Sequence, residues 1–152
     1  SLTRRYLELH DEIADLDVMI AAIVDELAPE LIKRNAIGDE SASQLLITAG
    51  DNPQRLRSES GFAALCGVSP VPVSSGKTNR YRLNRGGERA ANSALHIIAI
   101  GRLRTKEYVA RRVAEEHTKM EAIHCLKRYI SREVYTLLRN QNRQSNSIPI
   151  TA

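Results

Sequence analysis

A serine pair followed by glycine and a run of basic residues is the part of this sequence best suited to chemistry. Ser74, Ser75 and Gly76 lead into residues 77–89, which contain five basic side chains and one acidic one. A hydroxyl beside glycine is sterically accessible, and nearby cations stabilise charge that develops on a phosphate. This combination suits nucleophilic attack on a phosphodiester, leaving a phosphoserine link. Ser-Ser-Gly is also the composition of an ordinary turn, and for these residues alone that interpretation is the commoner one.

Other catalytic centres find little support in the sequence. The segment Gly76-Lys77-Thr78 has the form of the end of a nucleotide-binding P-loop, but Val71 occupies the position of that motif's first glycine. The histidines lack the spacing of metal ligands, and the neighbours His124 and Cys125 point to different sides of a helix. Two cysteines so far apart exclude a disulfide framework. We therefore expect no metal and no cofactor in this chain.

The charged residues are distributed unevenly. Residues 1–71 contain 6 basic and 12 acidic side chains, whereas residues 72–152 contain 16 basic and 6 acidic ones. The basic half is a candidate surface for a polyanion, most simply nucleic acid; the alternatives are a solvated surface or one that pairs with the acidic half. Five Tyr and one Phe are too few for a platform on which single-stranded bases stack. No stretch of about 18 residues is apolar enough to span a membrane, and no signal peptide is visible.

The first residues predict a long helix with a coiled-coil seam. Its apolar residues recur at alternating spacings of four and three over nearly four heptads, which favours a left-handed coiled coil over an ordinary surface helix. The partner of this seam is expected to be a second copy of the chain or the last helix of the same chain. The seam residues, which we assign to oligomerisation, are Leu2, Tyr6, Leu9, Ile13, Leu16, Ile20, Ile23 and Leu27.

The sequence also marks where further helices begin and end. Pro29 kinks or restarts the chain after the first helix. Ser58 is placed to cap a helix that stops near Gly67. Thr118 and Glu121 have the spacing of a capping box that opens the last helix.

The predicted fold is all-α. A long coiled-coil helix over residues 1–34 precedes a small helical domain over 35–139, and a polar, flexible tail over 140–152 is expected to follow. The domain contains an extended Pro/Ser/Gly loop that leads into the basic residues, since two prolines exclude a helix over residues 68–76. The last helix has an apolar face that is a candidate to pack on the first helix, formed by Ile123, Leu126, Ile130, Val134 and Leu137.

Residues 62–89 read FAALCGVSPVPVSSGKTNRYRLNRGGER. This segment resembles the C-terminal domain of a large family of bacterial insertion-sequence transposases. The family is related to the Piv DNA invertase, and some of its members are RNA-guided bridge recombinases. Residues 108–135 look like the end of the same domain, and residues 1–35 are similar to the family's coiled-coil connector.

The resemblance implies a nucleophilic serine that is followed directly by glycine. It places this role at Ser75, with Ser74 as the alternate. Contacts to the DNA backbone are then expected from the basic residues that follow, Lys77, Arg80, Arg82, Arg85 and Arg89. Family members also carry a RuvC-like half with an acidic metal site. This sequence has no such half and begins with serine, so we expect a fragment, and Mg²⁺ is expected only for the missing half.

The sequence therefore predicts part of a DNA transposase or site-specific recombinase that cleaves and joins strands through a serine. The expected partners are DNA, a guide RNA for the full-length protein, and further copies of the chain through the first helix. The expected location is the bacterial cytoplasm, and the fragment alone is not expected to complete recombination. Two alternatives stay open: a DNA-binding module without catalysis, and a helical interaction protein whose coiled coil is its function.

Overall fold

Helices dominate the fold, as predicted. The computed structural model describes residues 1–50, 56–73, 75–77, 81–84, 86–104 and 118–146. Two short strands interrupt the helices between α4 and α5. The elements in chain order are α1 (Leu2–Leu27), α2 (Pro29–Ile32), α3 (Asp39–Ala49), α4 (Glu59–Leu65), β1 (Pro70–Pro72), β2 (Tyr81–Leu83), α5 (Arg89–Leu103) and α6 (Lys119–Asn146).

The first helix leaves most of its seam exposed. Leu9, Ile13 and Leu16 are 41%, 57% and 56% exposed, whereas Val24 and Ala28 at the end of α1 are buried. The last turns of α1 pack on α3, and α6 packs on α5 and α4. The last helix is therefore not the partner of the seam, and the expectation that its apolar face packs on α1 is wrong.

The core is built around α5, which packs on α3 and on α6. The apolar face predicted for α6 is confirmed, because Ile123, Leu126, Ile130 and Val134 are all buried. Phe62 of α4 is fully buried with them in the same core cluster. α6 also extends to Asn146, into the segment assigned to the tail, and residues 147–152 lie outside the described part of the chain.

Local hydrogen bonds confirm the predicted helix starts. The Ser58 hydroxyl accepts from the Gly61 N–H at 3.0 Å. Thr118 and Glu121 form the reciprocal capping box, in which the Thr118 N–H donates to Glu121 Oε2 at 3.0 Å and the Glu121 N–H donates to Thr118 Oγ1 at 3.2 Å. Each bond satisfies a backbone N–H that has no partner within its own helix. Pro29 is the first residue of α2, so it restarts the chain as predicted.

Ion pairs then hold the neighbours of α6 in place. Arg128 of α6 donates to the Glu59 carboxylate at the start of α4, and Arg132 lies 3.4 Å from the same oxygen. The hydrogen bond from Arg128 lowers the pKa of Glu59. Arg102 of α5 donates to Glu133 of α6 at 2.7 Å. These ion pairs link both α4 and α5 to α6.

The proline-rich segment forms the two ends of a hairpin. β1 and β2 pair antiparallel, with Pro70 opposite Leu83, Val71 opposite Arg82 and Pro72 opposite Tyr81. The Asn84 N–H donates to the Ser69 carbonyl at 2.9 Å, so these two residues form a hydrogen-bonded pair. Such pairs alternate with non-hydrogen-bonded pairs along an antiparallel ladder, and both prolines fall in pairs of the second kind. The prolines thus occupy positions where the ladder needs no N–H donor. Extended backbone was expected here, and the pairing of its two ends adds a small sheet.

Two glycines bring the entry and exit of this hairpin together. Gly67 follows α4 with φ +67°, and a Cβ at Gly87 would overlap the backbone N and Cα of Gly67. The Glu88 N–H donates to the Leu65 carbonyl at 2.7 Å across the same junction. The end of α4 and the start of α5 therefore touch backbone to backbone, and only glycine permits that approach.

Replacing Gly87 with alanine should destabilise the domain. Gly87→Ala forces α4 and α5 apart, and we expect a loss of about 2 kcal/mol or more in the free energy of unfolding. Guanidinium denaturation measures it. The matched control is Gly38→Ala, because a Cβ at Gly38 meets no atom within 4 Å; its effect should be a small part of that loss. Equal effects of the two substitutions would contradict a close approach at Gly87.

Candidate nucleic-acid interface

A cleft of about 1050 Å³ lies between the β1–β2 hairpin, α5 and α6. Val71 and Arg82 face it from the hairpin, and Gly86 and Gly87 line it just before α5 begins. The glycine contact that joins the two ends of the hairpin therefore also sets one wall of the cleft. Its volume is at the upper end of the range of roughly 300–1,000 Å³ that is usual for small-molecule pockets.

The side chains around the cleft are strongly basic. None of the described residues that line it is Asp or Glu. Arg82 extends from β2, and Arg89 is the first residue of α5. The titratable residues of the lining are Arg82, Arg89, His96, His124 and Lys127. A cleft with this lining favours an anion.

Lys127 is the most deeply buried of these charged residues, with 5% of its surface exposed. Its Nζ donates to Asn92 Oδ1 at 2.6 Å. The Asn92 amide nitrogen in turn donates to the carbonyls of Cys66 at 3.2 Å and Gly67 at 2.9 Å. The amide group of Asn92 therefore connects α5 and α6 to the point where the chain leaves α4.

Burial changes the acid–base behaviour of this region. It lowers the pKa of Lys127, because the interior solvates the ammonium group poorly. The pKa of His124 is also lowered, first by burial and then by the positive charges of Lys127 and His96. Burial, together with the negative charge of Glu88, raises the pKa of the Cys66 thiol to about 12. Cys66 therefore stays protonated and is not a nucleophile at neutral pH.

The predicted serine lies on the connection between β1 and β2. Ser75 and Lys77 are exposed there, and between them Gly76 has φ +66°. Neither Ser75 nor Lys77 lines the cleft, whereas Arg82 and Arg89 do. Ser74, Arg80 and Arg85 lie outside the described residues.

Four residues of this site were not predicted from the sequence, namely Asn92, His96, His124 and Lys127. A signal existed for Lys127, because it lies in the buried stripe of α6 beside Leu126, where an apolar residue is the ordinary choice. The two histidines are far apart in sequence, and only the packing of α5 on α6 brings them to one cleft.

The part of the chain that the structure describes contains no group of three or more His, Cys, Asp or Glu residues placed to hold a metal ion. Each helix in those residues is too short or too polar to cross a lipid bilayer.

Comparison with known proteins identifies the family. A search of curated proteins found no match. The profile of the transposase IS116/IS110/IS902 family matches residues 30–114, which is more than half of the chain. The match includes α3, α4, the hairpin and α5, and so most of the elements that form the cleft. The chain therefore belongs to the IS116/IS110/IS902 family of transposases.

Proposed function

We propose that this chain is the serine-containing, DNA-binding part of a transposase. Ser75 Oγ attacks a DNA phosphodiester: a bond forms between Oγ and phosphorus, and the bond from phosphorus to the deoxyribose oxygen breaks. The hydroxyl gives up its proton as it attacks, and the leaving oxygen takes up one proton, so the step balances. In the phosphoserine link the DNA phosphate stays esterified to the serine, so that a second DNA end can later be joined to it. The observation that carries this proposal is the exposed Ser75–Gly76 turn on a hairpin whose β2 strand contributes Arg82 to a basic cleft.

Electrostatics favours DNA binding on this side of the domain. Lys77 is exposed beside Ser75, and Arg82 and Arg89 are exposed at the cleft. Arg80 and Arg85 belong to the same basic segment of the sequence. Lysine and arginine bind backbone phosphates, and they neutralise the charge that develops on phosphorus during transfer. We assign the DNA backbone contacts to this segment.

Binding to duplex DNA should depend on salt and on this segment. Combining Lys77→Ala with Arg82→Ala should weaken binding and reduce the slope of log affinity against log salt by about two, because each phosphate contact contributes about 0.9. Fluorescence anisotropy at several salt concentrations measures both quantities.

The matched control combines Arg5→Ala with Lys33→Ala. It removes the same charge from exposed ion pairs with Glu8 and Glu30. Equal losses in the two double variants would mean that net charge alone governs binding and would contradict backbone contacts at Lys77 and Arg82.

The nucleophile can be tested by trapping the covalent intermediate. In a complete recombinase that contains this domain, Ser75→Ala should abolish the protein–DNA adduct, because the attacking oxygen is lost. Ser74→Ala is the matched control and should retain the adduct. Denaturing gel electrophoresis with labelled DNA detects it, and an adduct that survives Ser75→Ala would overturn the assignment.

The exposed seam of α1 supports oligomerisation as part of the same function. Leu9, Ile13 and Leu16 repeat at coiled-coil spacing, and no other described element covers them. Leu7 and Val18 fall at heptad positions b and f, away from the seam. A second α1 helix is therefore the partner that we propose for the seam. Such pairing would bring two DNA-binding domains together, as recombination between two sites requires.

Polar substitutions on the seam should lower the oligomeric state. Leu9→Asn with Leu16→Asn removes two seam side chains, so we expect the mass measured by light scattering to fall toward that of one chain. Leu7→Asn with Val18→Asn is the control for helix propensity and should leave the mass unchanged. An unchanged mass in the seam variant would overturn pairing through α1.

A further inference from the structure

Lys127 is a buried cation without an acidic partner among the described residues. Its side chain forms no ion pair with them, and its hydrogen bond goes to the neutral amide of Asn92. An ammonium group can donate three hydrogen bonds. Burying a charge without a counter-charge costs free energy, so an ordinary structural position would hold an apolar residue.

Asn92 holds this lysine in a defined place. Its amide nitrogen is committed to the carbonyls of Cys66 and Gly67, which leaves its oxygen facing Lys127 Nζ. The ammonium is thus tied to the junction where the chain enters the hairpin. Both side chains line the cleft, together with Arg82 and Arg89. The arrangement is a fixed donor inside a cavity whose rim is positively charged.

An anion that enters the cleft would supply the counter-charge that Lys127 does not find among the described residues. The described lining has no carboxylate that could neutralise Lys127 from within. At about 1050 Å³ the cleft also has room for more than one phosphate group. A nucleic-acid backbone satisfies both requirements, because it is an extended chain of phosphodiesters.

We propose that the cleft is a binding site for a nucleic-acid backbone phosphate. Lys127 is its inner donor, Arg82 and Arg89 lie at its rim, and Asn92 is the positioning residue. The inference rests on the proposed function in that the phosphate belongs to the nucleic acid bound beside Ser75. Lys127 lies beyond residues 30–114, over which the family profile matches. The same chemistry is available from a DNA strand and from an RNA strand.

The test compares two methionine variants of the chain. Lys127→Met keeps the length of the side chain and removes its charge, and Lys119→Met removes the same charge from the exposed start of α6. Each is titrated with a DNA duplex and with an RNA duplex of the same sequence at low salt. We expect Lys127→Met to weaken binding by about tenfold to a hundredfold, as the loss of a charged hydrogen bond does. Lys119→Met should have a much smaller effect.

Thermal unfolding separates binding from folding. Lys127→Met should unfold at the same temperature as the unsubstituted chain or at a higher one, because a buried charge becomes apolar. A loss of affinity for DNA assigns the phosphate-binding site to the DNA strand, and a loss confined to RNA assigns it to an RNA strand. Either result supports the site. A folded Lys127→Met variant that binds both duplexes like the unsubstituted chain would overturn it.

A measurement on the unsubstituted chain keeps the proposal testable if Lys127→Met fails to fold. With lysine labelled at Cε, pyrophosphate should shift the NMR signal of Lys127 and leave that of Lys119 in place. No shift of the Lys127 signal at saturating pyrophosphate would then overturn the proposed phosphate-binding site. Lys127 distinguishes the two proposals. Normal DNA binding by the Lys77/Arg82 double variant refutes the basic segment and the place of Arg82 at the rim, whereas normal binding by Lys127→Met refutes the phosphate-binding site itself.

Discussion

The backbone contact between Gly67 and Gly87 is the constraint on which the functional side of this domain depends. It holds the end of α4 against the start of α5 and so closes the base of the β1–β2 hairpin. The Asn92 amide reinforces the junction by binding the carbonyls of Cys66 and Gly67. Since the hairpin carries both Ser75 and Arg82, this junction sets where the proposed nucleophile and the basic cleft stand relative to the helical core.

The cleft combines two kinds of cation that have different physical roles. Arg82 and Arg89 are exposed, so they keep their hydration until a ligand arrives and their contribution is sensitive to salt. Lys127 is already desolvated and held by Asn92, so an anion that reaches it meets a donor that needs little further reorganisation. In the proposed site, the exposed arginines would attract a polyanion from a distance, and the buried lysine would fix its position.

The separation of charge along the chain matches two separate surfaces. The acidic side chains of α1 flank an exposed apolar seam, whereas Arg82, Arg89 and Lys127 line the cleft. An acidic helix repels a DNA backbone, which leaves its seam for a protein partner. In the proposed function, the two surfaces therefore bind different partners without competing for them.

The sequence by itself determined the features that depend on neighbouring residues. The capping box of Thr118 and Glu121, the cap at Ser58 and the restart at Pro29 were all predicted, because each is a contact within one helical turn. Only the tertiary structure decided that α6 packs on α5 and α4 rather than on α1, since the apolar stripe of a helix does not specify its partner. The same holds for the cleft: Arg82, His96 and Lys127 are far apart in sequence, and the packing of three elements brings them together.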